Sequence, residues 1–265
     1  MQKAVTSAEE LIRKFEQLRS RAAKPDGSTG QTPRTYNCAK CKDEEGFLVR
    51  DEDGYERWRF CECREQKRIE RLFKSSQITD AFQKLGFKNF RTEGRPQPVV
   101  DAYNCATTYF RNFHEIKDKR QNSIALLGTP GSGKTHLLMA VANNLLRQGV
   151  GVIYFPWVEG FNELKDNLEH LDYRIHQLQK VPVLFIDDLF KGRKKPTEFQ
   201  IEQLFAIVNY RYLNNLPMLV SSERDIDELC EIDMGIGSRI YEMSRDYCVI
   251  LQGPGLNYRI SEVAG

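Results

Sequence analysis

Gly128-Thr129-Pro130-Gly131-Ser132-Gly133-Lys134-Thr135 sets glycines, a lysine and a hydroxyl residue in the order of a phosphate-binding loop. The glycines let successive backbone N–H groups converge on phosphate oxygens. The following helix adds the partial positive charge of its N-terminus, Lys134 reaches the terminal phosphates, and the Thr135 hydroxyl is placed for Mg²⁺. A second chemical signal is Asp187-Asp188, at the end of the apolar run Val183-Leu184-Phe185-Ile186. Carboxylates at the C-terminal end of a buried strand face the ligand crevice of an open α/β sheet. Asp187 is expected to hold Mg²⁺ directly or through water, and Asp188 to polarise the attacking water.

Cysteine spacing gives a third signal. Cys38-x2-Cys41 and Cys61-x-Cys63 each place two thiolates within reach of one tetrahedral ion, and Zn²⁺ is the ion expected. Between the pairs, Gly46 to Val49 and Tyr55 to Phe60 read as short strands around the turn Asp51-Glu52-Asp53-Gly54. So small a module cannot hold together by apolar burial alone, which is why a metal is expected. Cys105, Cys230 and Cys248 lie on apolar stretches and read as core residues.

These groups need elements to position them. Ser123 to Leu127 is a short apolar run suited to a buried parallel strand, and His136 to Arg147 carries apolar residues at helical spacing. Strand Val150 to Phe155, a helical stretch from Glu159 to Lys180 and the acidic strand follow. Helix Thr197 to Leu213, strand Met218 to Ser221 and strand Tyr247 to Leu251 complete the order. Alternating strands and helices imply a doubly wound parallel sheet with ligand at the strand C-termini. Ser221-Ser222-Glu223 then places polar groups where a γ-phosphate sensor would sit, and Ser222 is assigned to the nucleotide.

A chain of 265 residues can bury one sizeable core plus a small appendage, and 40% hydrophobic content is ordinary for a globular protein. No run approaches the roughly 18 apolar residues of a membrane span, and the N-terminus lacks a signal peptide's apolar core, so a cytoplasmic location without membrane contact is expected. A net charge of +2 excludes a bulk polycation and confines any nucleic-acid contact to local patches. Two such patches are Arg64, Lys67, Arg68, Arg71 and Lys74 on a helix from Glu62 to Lys74, and the loop from Lys191 to Lys195. Near the N-terminus, Thr6 to Ala23 offers a capping box and a helix with Leu11, Ile12, Phe15 and Leu18 on one face. The Gly/Ser/Pro-rich stretch after it reads as a linker. The expected organisation is helix and linker over 1–34, zinc module over 35–66, connecting helix and linker over 67–98, and ATPase domain over 99–265.

Taken together, the cysteine pairs, the Gly128–Thr135 loop, Ile186 to Lys191, Pro217 to Glu223 and Gly237 to Met243 resemble the AAA+ helicase loaders of bacteria and phages, the DnaC/DnaI type. The resemblance spans essentially the whole chain. It implies an α/β fold with a P-loop AAA+ ATPase core, preceded by a zinc-ribbon-like module and an N-terminal helix. It implies ATP, Mg²⁺ and Zn²⁺ as cofactors. An N-terminal region that docks on the hexameric replicative helicase, and an ATPase part that grips single-stranded DNA, are also implied. Arg239 matches an arginine finger that reaches the neighbouring subunit's γ-phosphate, which implies self-association, and Arg245 competes for that assignment. Too little chain follows Leu251 for a full helical lid, leaving Arg259 as the candidate for the lid's arginine.

Three functions fit these residues. One is a helicase loader with weak, ATP-switched hydrolysis, and another is an ATPase helper of a transposase, similar through the ATPase core. The third is a non-catalytic nucleotide- and zinc-binding adaptor. The four-cysteine module favours the loader over the transposase helper, and the second acid, Asp188, argues against a chain that only binds nucleotide.

Overall fold

The apolar runs Ile124–Gly128 and Val183–Leu189 lie with other strands in one parallel sheet of the computed structural model. The structure describes residues 36–261 except residue 52 and residues 193–194. The expected helix Thr6 to Ala23 and its linker lie outside the described residues. The chain divides into two compact units, one running through Cys61 and the other starting at Glu62.

In the first unit, β1 (Gly46–Arg50) and β2 (Glu56–Phe60) form an antiparallel hairpin in which Leu48 pairs with Trp58. Asp51 closes its turn, accepting the Tyr55 N–H on Oδ1 at 2.8 Å and the Gly54 N–H on its carbonyl at 3.0 Å. Every residue of β2 is exposed, so the hairpin has no apolar core of its own to rest on.

The second unit begins with α1 (Cys63–Ser75), the single turn α2 (Asp80–Gln83) and the long α3 (Gln97–Ile116). Pro98 sits in the first turn of α3, where its missing N–H costs nothing. Then come β3 (Ile124–Gly128), α4 (Lys134–Arg147), β4 (Val152–Pro156), α5 (Trp157–Asp166), α6 (Leu171–Lys180) and β5 (Val183–Leu189). The remainder is α7 (Glu198–Leu213), β6 (Met218–Ser222), α8 (Ile226–Ile232), α9 (Met234–Ser244), β7 (Cys248–Leu251) and the short α10 (Tyr258–Ser261). The stretch from Glu159 to Lys180, expected as one helical run, is two helices, because the backbone leaves helical geometry at Asn167 before a 3₁₀ turn.

All five strands of the sheet run parallel, in the order β4-β5-β6-β3-β7. Side chains alternate between its faces. Ile124, Leu126, Val183 and Phe185 join the core under α3 and α4, while Ala125, Leu127, Leu184 and Ile186 join the core under α5 to α9. Burial on both faces explains why these strands read as continuous apolar runs. The chain reaches β4 to β6 on one side of β3 and β7 on the other. The crevice beyond the C-terminal end of β3 is therefore the place where open α/β sheets bind ligands.

Two irregularities shape the sheet's edge and its packing. Ile186 pairs with Val220, but Leu189 pairs with Ser222, so β5 carries one extra residue where the two aspartates lie. Asp188 takes the left-handed conformation there, φ 54°, which aspartate tolerates better than most residues. Arg211 of α7 is fully buried, and its guanidinium donates to the carbonyls of Leu178, Gln179, Val181, Pro182 and Pro217. It thereby caps the end of α6 and ties it to the entry of β5 and β6. Burial pushes Arg211 down to about 9, which still leaves it charged at neutral pH. Among the described residues, no helix is long and apolar enough to cross a membrane.

Candidate functional site

The loop from Gly128 to Thr135 joins β3 to α4, as its composition requires. Gly128 has φ 107°, and a Cβ there would come within 2.4 Å of the Leu251 carbonyl on β7, so no other residue fits. The Thr129 N–H donates to that same carbonyl at 2.8 Å, which fixes the start of the loop. Gly133, φ 100°, stands just ahead of α4, and no side chain caps the helix. The first N–H groups of α4 therefore have no side-chain acceptor and open toward the crevice, the arrangement that suits an anion.

Lys134 is only 5% exposed, and its Nζ donates to the carbonyls of Gly128 at 2.7 Å and Thr129 at 2.8 Å. Burial pushes its ammonium down to about 8, against the opposing pull of the acids Asp188, Glu223 and Asp187. A buried cation whose hydrogen bonds go to neutral carbonyls gains strongly from phosphate oxygens.

Asp187 is 4% exposed and bound by three hydroxyls. Thr135 donates to Oδ1 at 2.9 Å, Tyr154 of β4 donates to Oδ2 at 2.9 Å, and Ser221 of β6 donates to Oδ1. Burial raises the carboxyl's pKa, opposed by the hydroxyls of Ser221, Thr135 and Tyr154. Thr135 and Asp187 thus present a hydroxyl and a carboxylate oxygen side by side, the hard oxygen donors that Mg²⁺ takes as ligands.

The bulge in β5 separates the two aspartates. Asp187 is held by the buried hydroxyl cluster, while Asp188, which lines the cavity with it, has its N–H on Ser221 Oγ at 2.8 Å and its carboxylate on Lys191 Nζ at 2.7 Å. A cavity of about 930 Å³ opens over the loop, and Lys134, Thr135, Asp187, Asp188, Glu223 and Arg259 are among the residues lining it. Phe90, Arg91 and Arg95 of the segment before α3 also face it. By sequence this segment reads as linker, because it carries neither a strand nor a helix period.

Other expected residues lie elsewhere. Ser222 is fully buried and donates to the Leu189 carbonyl at 2.7 Å, whereas the neighbouring Ser221 touches Asp187. Arg239 does not line the cavity. Its Nε donates to Asn209 Oδ1 at 3.1 Å, Nη1 donates to the Gly235 carbonyl at 2.8 Å, and its guanidinium stands 5.2 Å from the rings of Phe205 and Tyr212. Arg245 pairs with Asp246 at 3.7 Å, both side chains more than half exposed. Sequence reasoning misses Tyr154, since a tyrosine in an apolar strand reads as core. Only the register of β4 on β5, where it pairs with Phe185, brings its hydroxyl to Asp187.

The sulfurs of Cys38, Cys41, Cys61 and Cys63 all lie within 4.8 Å of one another. Cys38 Sγ and Cys61 Sγ are 3.7 Å apart, close to the ~3.8 Å edge of a tetrahedron with Zn–S bonds of about 2.3 Å. The Lys42 N–H donates to the Cys38 carbonyl at 2.8 Å, and Asp43 accepts the Cys38 N–H at 2.9 Å, so the first pair sits in a tight turn. Backbone N–H groups, that of Cys41 foremost, pull the Cys38 thiol down to about 7, toward the thiolate that ligates metal. The cluster fits a zinc module.

Residues 60–231 match the family described as IstB-like ATP binding protein. The phage-like element PBSX protein XkdC of Bacillus subtilis (strain 168) is 50% identical over 234 residues, covering 86% of this chain and 88% of its own. The replicative helicase loader DnaC of Escherichia coli (strain K12) is 25% identical over 182 residues, 67% of this chain and 70% of its own. The crystal structure of DnaI superposes with a TM-score of 0.56 at 23% identity, covering 66% of this chain and 95% of that one. The chain belongs to the IstB-like ATP-binding protein family, and its second unit has the AAA+ fold seen in DnaC and DnaI.

Proposed function

We propose that the chain is an ATP-switched loader of a hexameric replicative helicase, acting in DNA replication. The observation that carries this reading is the pairing of two features: a phosphate-loop lysine and hydroxyl beside the acids of β5 on the fold of DnaC and DnaI, and a four-cysteine cluster ahead of them in the sequence. ATP sits with its phosphates on the 128–135 loop and at the N-terminus of α4, and Lys134 leaves the Gly128 and Thr129 carbonyls for the terminal phosphates. Thr135 and Asp187 would hold Mg²⁺, which, when bound, neutralises charge on the β- and γ-phosphates. Tyr154 and Ser221 keep Asp187 in place for that task. Asp188 orients the water that attacks the γ-phosphorus; ADP leaves, and the proton passes through Asp188 to solvent or phosphate. Ser221, on Asp187 and the Asp188 N–H, is better placed than Ser222 to report the state of the γ-phosphate.

Hydrolysis serves as a slow switch, completed by an arginine from a neighbouring copy. Arg239 would have to leave Asn209 and Gly235, while Arg245 is held by a surface ion pair. The N-terminal region through the cysteine module, where Zn²⁺ would fix the hairpin through four thiolates, docks on the helicase. The ATPase unit contacts single-stranded DNA in the cytoplasm.

Native mass spectra of the chain with the replicative helicase of its own host or phage, with and without ATP and Mg²⁺, should show a complex containing the helicase hexamer. Deletion of residues 1–66 should abolish it. Absence of any complex in every nucleotide state would contradict the loader reading and bring the transposase-helper reading forward.

A further inference from the structure

The nucleotide cavity contains an ion cluster that the loop and its magnesium ligands do not use. Lys191 Nζ stands 2.7 Å from Asp188 Oδ2 and 3.2 Å from Glu223 Oε1, so one ammonium joins the exit of β5 to the residue just past β6. All three side chains line the cavity beside Lys134, and all three are electrostatic neighbours of its ammonium. The position of Lys191 is built into the fold. Asp188 and Phe190 both adopt left-handed backbone, φ 54° and 61°, and the Lys191 N–H donates to the Asp188 carbonyl at 3.0 Å. Phe190, 2% exposed, pins this turn by packing its ring 5.0 Å from that of Trp157. The turn thus folds Lys191 back over the strand it has just left.

The charge balance gives this lysine a purpose. Asp188 and Glu223 are two carboxylates at the wall where the terminal phosphate of a bound triphosphate arrives, and each repels it. Lys191 is the cation in direct ion-pair contact with both, and its hydrogen bond to Asp188 raises its pKa, so it stays charged at neutral pH. A diphosphate ends one phosphate short of that wall and meets the repulsion at longer range.

We propose that Lys191 is the specificity-determining residue that lets the site accept a triphosphate: it clamps Asp188 and Glu223 in the nucleotide-free chain and transfers to the γ-phosphate when ATP binds. Release of the clamp frees the Asp188 carboxylate and loosens the link between β5 and β6, so only ATP rearranges the strand exits. This inference rests on the reading of the cavity as an ATP site.

The test is isothermal titration of the full chain with Mg·ATP and Mg·ADP, for wild type, Lys191→Met, Lys191→Arg and the double variant Lys191→Met/Glu223→Gln. Lys191→Met should weaken ATP about tenfold or more, as expected for loss of one charge contact at a partly solvated site, and ADP by less than about twofold. Lys191→Arg should stay near wild type, and the double variant should recover much of the ATP affinity because one of the unpaired carboxylates is gone. Equal weakening of ATP and ADP by Lys191→Met, or no recovery in the double variant, would overturn the role of Lys191 while leaving the ATP site standing. A wild-type chain that binds neither nucleotide would overturn both readings.

Discussion

Lys134→Ala is expected to lower ATP affinity by about a hundredfold or more. The Nζ of Lys134 is held inside the loop by the Gly128 and Thr129 carbonyls, so it is poised to move onto phosphate oxygens. Two charge-assisted hydrogen bonds to phosphate contribute roughly 3 kcal/mol or more in a site this buried, which converts to at least two decades of affinity. The alanine variant should still fold, because α4 keeps Leu137, Leu138, Val141, Leu145 and its other buried apolar residues. Titration with Mg·ATP alongside a thermal melt checks both points. Unchanged affinity in a folded variant would remove the central assignment.

Zinc removal should have the other large effect, confined to the segment from about residue 36 to residue 63. The hairpin's second strand is exposed along its whole length, so a metal on the four sulfurs would be what holds Gly46–Arg50 and Glu56–Phe60 together. Metal binding in small zinc domains supplies on the order of 10 kcal/mol of folding free energy, more than such a hairpin can replace. The chain has two tryptophans, Trp58 in the hairpin and Trp157 in the core, so a Trp157→Phe chain reports on the hairpin alone. A strong chelator should shift the Trp58 emission to that of an unfolded segment and leave the melting of the ATPase unit within a degree or two. A loss of the ATPase transition together with the hairpin would contradict independent folding of the two units.

What the sequence made legible was local. The loop 128–135 and the buried strands 124–128 and 183–189 announce themselves because glycine spacing and continuous apolar runs are properties of neighbouring residues. The assembled site depends on register, which no local pattern carries. The extra residue in β5 sets Asp187 against the hydroxyls and Asp188 against Lys191, and it exists only because β6 pairs on both sides of it. The same register places Ser221 rather than Ser222 against Asp187, although the two serines are adjacent in an apolar strand. Arg211 is fully buried although arginine is seldom a core residue, because the carbonyls at the end of α6 and the entries of β5 and β6 converge on it. Lys191 reads as part of a basic loop, and only the left-handed turn at Asp188 and Phe190 returns it to the acids it has passed.

The loader account is tested most directly by measuring helicase transfer onto a closed circular single strand, which has no end to thread. Purified hexameric helicase, the circle and ATP should give helicase-bound circles only when this chain is present, and Asp187→Asn or omission of ATP should alter the yield sharply. Helicase retained on the circle to the same extent without the chain, or with the chain and no dependence on nucleotide or on Asp187, would contradict the account.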